Sequence, residues 1–201
     1  MTAVPHIAET LSSPRAEARR AQILSAAQAC FREHGFHGAS IARICQAAAM
    51  SPGHIYHYFR NKEDIIAAIV EQDVARILDF HDRMRSSTDL PETVRACVRE
   101  GVLSALDAGE AALKLEIVAE AARNPRIAQL VRAADQRLRA SFMDTMCEVG
   151  LGRPRDELEE CVDTLCAMFD GLMTRGVRNP DLDVALVTER YQRRVLELMG
   201  L

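Results

Sequence analysis

The sequence has little of what secreted, membrane-embedded or β-rich proteins need. It contains no Trp, aromatic residues make up only 4% of it, and 10 Gly and 7 Pro are spread over 201 residues. A fold with many tight β-turns is therefore unexpected. No apolar run approaches the roughly 20 residues of a membrane-spanning helix, and residues 1–14 lack the charged-then-apolar pattern of a signal peptide. We expect a helical protein of the cytoplasm that has no membrane partner.

Motifs for a metal site, a cofactor or catalysis are also missing. No two of the six cysteines form a Cys-x-x-Cys pair, so we expect free thiols that pack mostly as small hydrophobic side chains. The sequence has no Gly-rich phosphate loop, no HExxH and no GxSxG motif. We predict that the chain is not an enzyme and holds neither a metal nor a cofactor.

The charge is unevenly distributed along the chain. Residues 1–62 carry seven basic and three acidic residues, a net charge of +4, and five of the six His. Residues 63–201 carry 18 basic and 26 acidic residues, a net charge of −8. We call these two predicted domains the head, which starts with an arm of 13 residues, and the body. A cationic head on an anionic body indicates an anionic partner for the head alone.

Hydrophobic periodicity and helix-capping signals predict an all-α chain of about nine helices. Ser13, Ser40 and Ser51 stand where the N-caps of the first three helices belong, and Asn61 begins a fourth helix that runs to about Arg85. Five further helices are predicted near Pro91–Leu106, Glu110–Ala122, Pro125–Val149, Pro154–Arg175 and Asp181–Met199. The fold class is thus an N-terminal three-helix domain followed by a larger helical domain.

The second and third helices match a helix-turn-helix, in which two short helices are joined by a turn of three to four residues. In the third helix Gly53 lets the backbone approach DNA closely, and His54 is placed to hydrogen-bond a base edge. Tyr and His side chains can bind phosphates without a full charge. Lys62 opens the next helix, whose free N–H groups and dipole favour a phosphate. The head is therefore predicted to bind DNA.

The stretch Ser40–Ile65 resembles the N-terminal domain of the TetR/AcrR family of bacterial transcriptional regulators, most specifically in Tyr-x-Tyr-Phe-x-x-Lys at residues 56–62. The resemblance covers about the first 70 residues and implies, beyond them, a helical domain for ligand binding and dimerisation. Two residues depart from the family's pattern, because Ala49 replaces the common turn Gly and Cys45 replaces a common Ala. Because an Ala in the left-handed conformation costs up to about 1–2 kcal/mol, we expect the turn to differ slightly from that of the family. The predicted DNA contacts are Ser40, Arg43, Ser51, Pro52, Gly53, His54, Tyr56, His57, Tyr58 and Lys62.

The last two predicted helices carry apolar stripes suited to packing against a partner. The resemblance implies that these helices form a four-helix bundle between two subunits, and a twofold dimer suits a palindromic DNA site. Ala167 and Gly171, four residues apart, would permit a close helix approach. Alternatively, both stripes serve only the core of one subunit. The predicted interface residues are Leu165, Phe169, Leu172, Val187 and Tyr191.

Residues 113–122 are the most informative segment for a small-molecule ligand, which we call the effector. Apolar residues occupy two faces of this predicted helix, which indicates burial, so Glu116 and Glu120 need partners. The partner is either a cationic or hydrogen-bonding effector or an Arg such as Arg123 or Arg126. An acyl-chain or small lipophilic effector fits the composition equally well. Adaptable side chains for a pocket are Met143, Met146 and Phe169.

These patterns favour a homodimeric repressor that a small-molecule effector releases from a palindromic operator in double-stranded DNA. In this hypothesis the effector shifts the long fourth helix and so changes the spacing of the two DNA-reading helices. A thiol-based redox switch on the same scaffold is the alternative. Cys161 and Cys166 lie about 140° apart on a helix, an awkward geometry for a disulfide, although Cys97 and Cys147 remain as other partners.

Overall fold

The computed structural model describes residues 13–201, which form nine α-helices and no β-strand. The all-α fold class is therefore confirmed over this part of the chain, whereas residues 1–12 of the predicted arm lie outside it. None of the described helices is long and apolar enough to cross a membrane. The helices are α1 (Pro14–Gly38), α2 (Ile41–Ala47), α3 (Pro52–Tyr58), α4 (Lys62–Arg85), α5 (Leu90–Leu106), α6 (Ala108–Ala121), α7 (Pro125–Glu148), α8 (Arg155–Arg178) and α9 (Val184–Met199).

Side-chain caps set where the described helices begin, except for α8, which follows Pro154 without a side-chain cap. Ser13 Oγ accepts a hydrogen bond from the Ala16 N–H at 3.2 Å, and Asn61 Oδ1 accepts one from the Asp64 N–H at 2.8 Å, as the sequence predicts. The two starts that differ most from the prediction are capped by aspartates. Asp107 places the start of α6 at Ala108 rather than Glu110, and Asp183 places the start of α9 at Val184 rather than Asp181.

The chain divides into two compact units, and the division lies inside α4 between Ile69 and Val70. The functional boundary that we placed after residue 62 stays a prediction. Fully buried side chains of the first unit come from all four of its helices and include Ile23, Leu24, Ile44, Ile55 and Ile65.

The core of the second unit is built around α5, which packs against α6, α8 and α9. Buried side chains of α5 such as Val94, Val98 and Val102 contact a cluster to which α8 and α9 also contribute. Much of the apolar surface of α8 and α9 is therefore used within this chain, and less of it remains for a partner.

Candidate nucleic-acid interface

Helix α3 buries one side chain deeply and exposes most of the others. Ile55 has no exposed surface, whereas Tyr56 is 52% exposed. Burial of Ile55 anchors a helix of only seven residues against the first unit, so the opposite side stays open to solvent. This side is available to DNA, and the other exposed residues on it are Pro52, Gly53, His54 and His57.

Three aromatic rings of α3 contact one another. The half-buried Tyr58 ring stacks on His54, with ring centroids 6.0 Å apart and an angle of 21° between the planes. The same ring meets His57 edge-on, at 5.1 Å and 87°. Because these contacts already restrict the side chains, less conformational entropy is lost when they bind a partner. The rings supply hydrogen-bonding groups to the exposed surface.

The two serines in the predicted DNA-binding set act as helix caps. Ser40 Oγ accepts a hydrogen bond from the Arg43 N–H at 3.2 Å, and Ser51 Oγ accepts one from the His54 N–H at 3.3 Å. Both serines are exposed, and so is Arg43. Because each hydroxyl uses only an acceptor position in its cap, its proton remains a donor for a phosphate oxygen. These DNA contacts stay predictions.

Gly53 has no packing reason to be a glycine. A Cβ atom placed on it would meet no other protein atom within 4 Å. Its backbone φ is not in the left-handed region either, since the only positive φ angles of the described glycines belong to Gly35, Gly150, Gly152 and Gly200. The missing side chain therefore leaves free space on the outer surface of α3, where the sequence predicts a close approach of the backbone to DNA.

Lys62 is used inside the protein, in a way that the sequence did not predict. Its Nζ atom donates a hydrogen bond to the carbonyl oxygen of Phe36 at 2.7 Å and lies 4.3 Å from the centroid of the Phe36 ring. Phe36 lies in the last turns of α1, beyond the kink at Gly35. Lys62 thus joins the end of α1 to the start of α4, and its phosphate contact stays a prediction.

Replacing Lys62 with methionine tests this internal role. We expect the free energy of unfolding to fall by about 1–2 kcal/mol, because a charged donor to a largely buried carbonyl is lost. The salt dependence of DNA binding should change little. Arg43→Met is the control, and we expect it to reduce the salt slope by about one ion without lowering stability. Denaturant unfolding and DNA titrations at several salt concentrations measure both; the opposite pattern would make Lys62 the phosphate ligand.

The predicted effector residues lie on α6, α7 and α8, and their shared role in a ligand site stays a prediction. Met146 is fully buried in the core of the second unit, and Met143 packs partly buried against that core. Phe169 meets Tyr191 at a centroid distance of 5.6 Å, and its Cε1 atom lies 3.0 Å from where a Cβ on Gly101 would be. A surface groove of about 330 Å³ between α5 and α9 is lined by other residues, among them Arg95, Gln192 and Leu196.

The two glutamates of α6 differ in their surroundings. Glu120 is 2% exposed, accepts a hydrogen bond from Asn124 Nδ2 at 3.1 Å, and lies 3.9 Å from Arg123 Nη2. Glu116 is only half-buried. The Glu120 carboxylate therefore has partners within the protein, as in the alternative to a cationic effector that the sequence left open. One expectation for this helix is wrong: Val118, which lies on one of the two predicted apolar faces, is 54% exposed rather than buried.

The predicted dimer residues fall into two groups. Leu165 and Leu172 are 5% and 3% exposed and belong to the core of their own chain, which is the alternative that the sequence left open. Phe169, Val187 and Tyr191 are half-buried. The open face of α8 instead contains Ala167 and Gly171, and a Cβ on Gly171 would meet no protein atom within 4 Å.

Sequence reasoning missed a polar contact between α4 and α7 inside the second unit. His81 is 5% exposed, its Nδ1 lies 2.9 Å from Ser141 Oγ, and its ring stacks on Phe142 at 5.1 Å. One turn further along each helix, Arg85 Nη1 donates to Thr145 Oγ1 at 2.6 Å. Burial, with the Arg85 charge as a smaller cause, lowers the pKa of His81 to about 4. The matching four-residue spacings were a signal for this contact.

The six cysteines are free thiols, as expected. Burial raises the pKa of four of them, which favours the thiol over the reactive thiolate; these are Cys30, Cys97, Cys161 and Cys166. Only Cys147 is exposed. This environment weakens the redox alternative, which stays an untested prediction.

Two family descriptions match the chain. Residues 23–69 match "Bacterial regulatory proteins, tetR family", and residues 91–199 match "BetI-type transcriptional repressor, C-terminal". The second match alone covers more than half of the chain, and the first contains both helices of the helix-turn-helix.

Individual relatives agree with these matches. The HTH-type transcriptional regulator UidR of Escherichia coli (strain K12) is 41% identical over 118 residues, which are 58% of this chain and 59% of UidR. The match thus spans about three fifths of the length of that relative. The HTH-type transcriptional repressor Rv1474c of Mycobacterium tuberculosis is 31% identical over 85% of this chain and 89% of its own. The solved structure of Salmonella enterica GusR is similar with a TM-score of 0.75 and 25% identity, over 96% of this chain and 100% of that one.

Proposed function

Because the chain belongs to the tetR family of bacterial regulatory proteins, we propose that it is a homodimeric repressor that a small-molecule effector releases from a palindromic operator. Its place in the family makes it a DNA-binding transcriptional regulator rather than an enzyme. The dimer, the palindrome, the effector and a cytoplasmic location are the proposed parts. The observation that carries the proposal is the exposed polar face of α3, held by the buried Ile55.

DNA recognition in this proposal combines a reading helix that has no Lys or Arg with exposed basic residues on neighbouring elements. Described residues of α3 include no Lys or Arg, so base contacts come from groups such as His54 and the open backbone at Gly53. Exposed cations on neighbouring elements, among them Arg43 and Arg60, supply the attraction to phosphates. Sequence is then read by α3, while affinity depends strongly on salt.

A dimer is proposed because one α3 contacts too few base pairs for a specific site. The open face of α8 around Ala167 and Gly171 supports it, since small residues allow two helix backbones to approach closely. Val184 and Leu186 at the start of α9 are each 40% exposed and add apolar surface. Twofold pairing of such surfaces is the usual symmetry of a dimer that reads a palindrome.

Effector control is proposed to act through α4, which begins in the first unit and continues into the second. Within the second unit, its later turns are held to α7 by the His81–Ser141 and Arg85–Thr145 contacts. An effector that binds better when these contacts are broken would shift the population away from the DNA-binding conformation. Because Glu120 has protein partners, a lipophilic effector is favoured over a cationic one.

Selection from random duplex DNA tests the DNA-binding part of the proposal. We expect an enriched palindrome whose affinity falls steeply between low and moderate salt. Tyr56→Ala is expected to weaken binding by up to about tenfold, the value of a lost hydrogen bond, without loss of stability because Tyr56 is 52% exposed. A pool without enrichment would contradict the proposal.

A further inference from the structure

The turn between α2 and α3 is a helix C-terminal motif with an unusual residue in it. The Met50 N–H donates to the Cys45 carbonyl at 3.0 Å, and the Ala49 N–H donates to the Gln46 carbonyl at 3.1 Å. This pair of bonds defines a Schellman motif, in which the residue after the cap takes the left-handed conformation. That residue is Ala49, with φ 51°, and it is the only described non-glycine residue with a positive φ.

The left-handed conformation of Ala49 strains the turn, and the two hydrogen bonds of the motif leave the carbonyl of Ala48 available for another partner. A Cβ atom in this conformation crowds the backbone, which is why Gly usually takes the position. The two bonds of the motif use the carbonyls of Cys45 and Gln46. They do not use the carbonyl of Ala48, whose residue is 1% exposed.

Gln22 of α1 supplies the partner for that carbonyl. Its Nε2 atom donates a hydrogen bond to the Ala48 carbonyl oxygen at 2.8 Å. Its Oε1 atom accepts one from Arg19 Nη1 at 3.0 Å, so the amide has a defined orientation with the NH2 group toward the turn. Because Gln22 and Ala48 are 26 residues apart, this bond ties the turn to a different helix.

The start of α3 follows the tied carbonyl closely along the chain. Ser51 caps α3 only three residues after Ala48, so a shift of the turn moves the end of α3 that carries Gly53 and His54. We propose that Gln22 is a positioning residue for DNA reading: it fixes the strained turn to α1 and thereby sets where α3 presents itself to bases. This inference rests on the proposed function, because it concerns the same interface.

Two variants of the full-length chain test the role of Gln22. Gln22→Met keeps the length of the side chain but removes the donor, and Gln22→Glu keeps the acceptor for Arg19 while setting a carboxylate against the Ala48 carbonyl. We expect affinity for the duplex selected by the wild type to fall by about two- to tenfold for Met and further for Glu. Affinity for random duplex at the same salt should stay unchanged for Gln22→Met, which keeps the net charge, since phosphate contacts carry this affinity. Gln22→Glu adds a negative charge and should therefore also weaken binding to random duplex, but by less than to the selected duplex.

Ala49→Gly supplies the independent arm of the experiment. Glycine relieves the strain in the turn, so Gln22→Met should cost less affinity when it is combined with Ala49→Gly than when it is made in the wild type. Wild-type affinity of both Gln22 variants for the selected duplex would overturn the proposal. So would a loss for Gln22→Met that is equal on selected and random duplex, or a loss that Ala49→Gly does not reduce. Thermal unfolding of each variant ensures that binding is compared between folded proteins. Failure of the wild type to select any duplex would instead contradict the proposed function.

Discussion

Gly53→Ala is expected to lower the affinity for the operator by about five- to a hundredfold, the cost of forcing a methyl group into a tightly packed contact. The substitution should not lower the stability of the protein, because an added Cβ meets no protein atom within 4 Å. Alanine also favours a helix over glycine, so the free energy of unfolding should rise by up to about 1 kcal/mol. Titration of the selected duplex by fluorescence anisotropy and denaturant unfolding measure the two quantities on the same sample.

The opposite signs of the two effects make Gly53 informative. A substitution that weakens binding by damaging the fold lowers stability and affinity together, whereas this one should separate them. Gly53→Leu extends the series, with a larger loss of affinity expected from a larger side chain at the same open position. If both variants bind the operator like the wild type, the start of α3 does not approach DNA closely.

The helical framework of the head was predictable because its signals are local. Ser40 and Ser51 cap the helices that they were expected to cap, whereas Ala49 takes the left-handed conformation in spite of the cost that predicted a slightly different turn. Lys62 shows where local reasoning ends. Its position at a helix start favours a phosphate contact, which stays a prediction. Its hydrogen bond to the Phe36 carbonyl, 26 residues away, is one that no spacing within one helix reveals.

The body was predictable in its helices and less so in what each helix faces. An apolar stripe looks the same whether it meets its own core or a second subunit, and Leu165 and Leu172 prove to be core residues. A buried carboxylate requires a partner without identifying it, and for Glu120 the partners are Asn124 and Arg123. For the leucines, the contacts that identify a core position come from helices distant in sequence. For Glu120, they come from the residues that follow the end of its own helix.

Ala167→Arg is expected to have the largest effect on operator binding. If the open face of α8 pairs two subunits, a long charged side chain there prevents close approach and leaves a monomer with one reading helix. Two linked contacts gain about 10²–10⁴ in avidity over one, so affinity for the palindrome should fall by a similar factor. The monomer should keep its fold, because Ala167 is exposed. Sedimentation velocity measures the oligomeric state, and titration of the palindrome measures the affinity.

Ala133→Arg is the matched control, since it places the same side chain at an exposed alanine of α7. It adds the same charge and should leave both the dimer and the operator affinity intact. Affinity for a single half-site separates the two parts of the argument further. A monomeric Ala167→Arg protein should bind the half-site as well as the wild type does, because its α3 is unchanged and only the second contact is lost. If this variant stays dimeric, another surface joins the subunits; if it is monomeric yet binds the palindrome tightly, one head is sufficient for recognition and the dimer is not the basis of specificity.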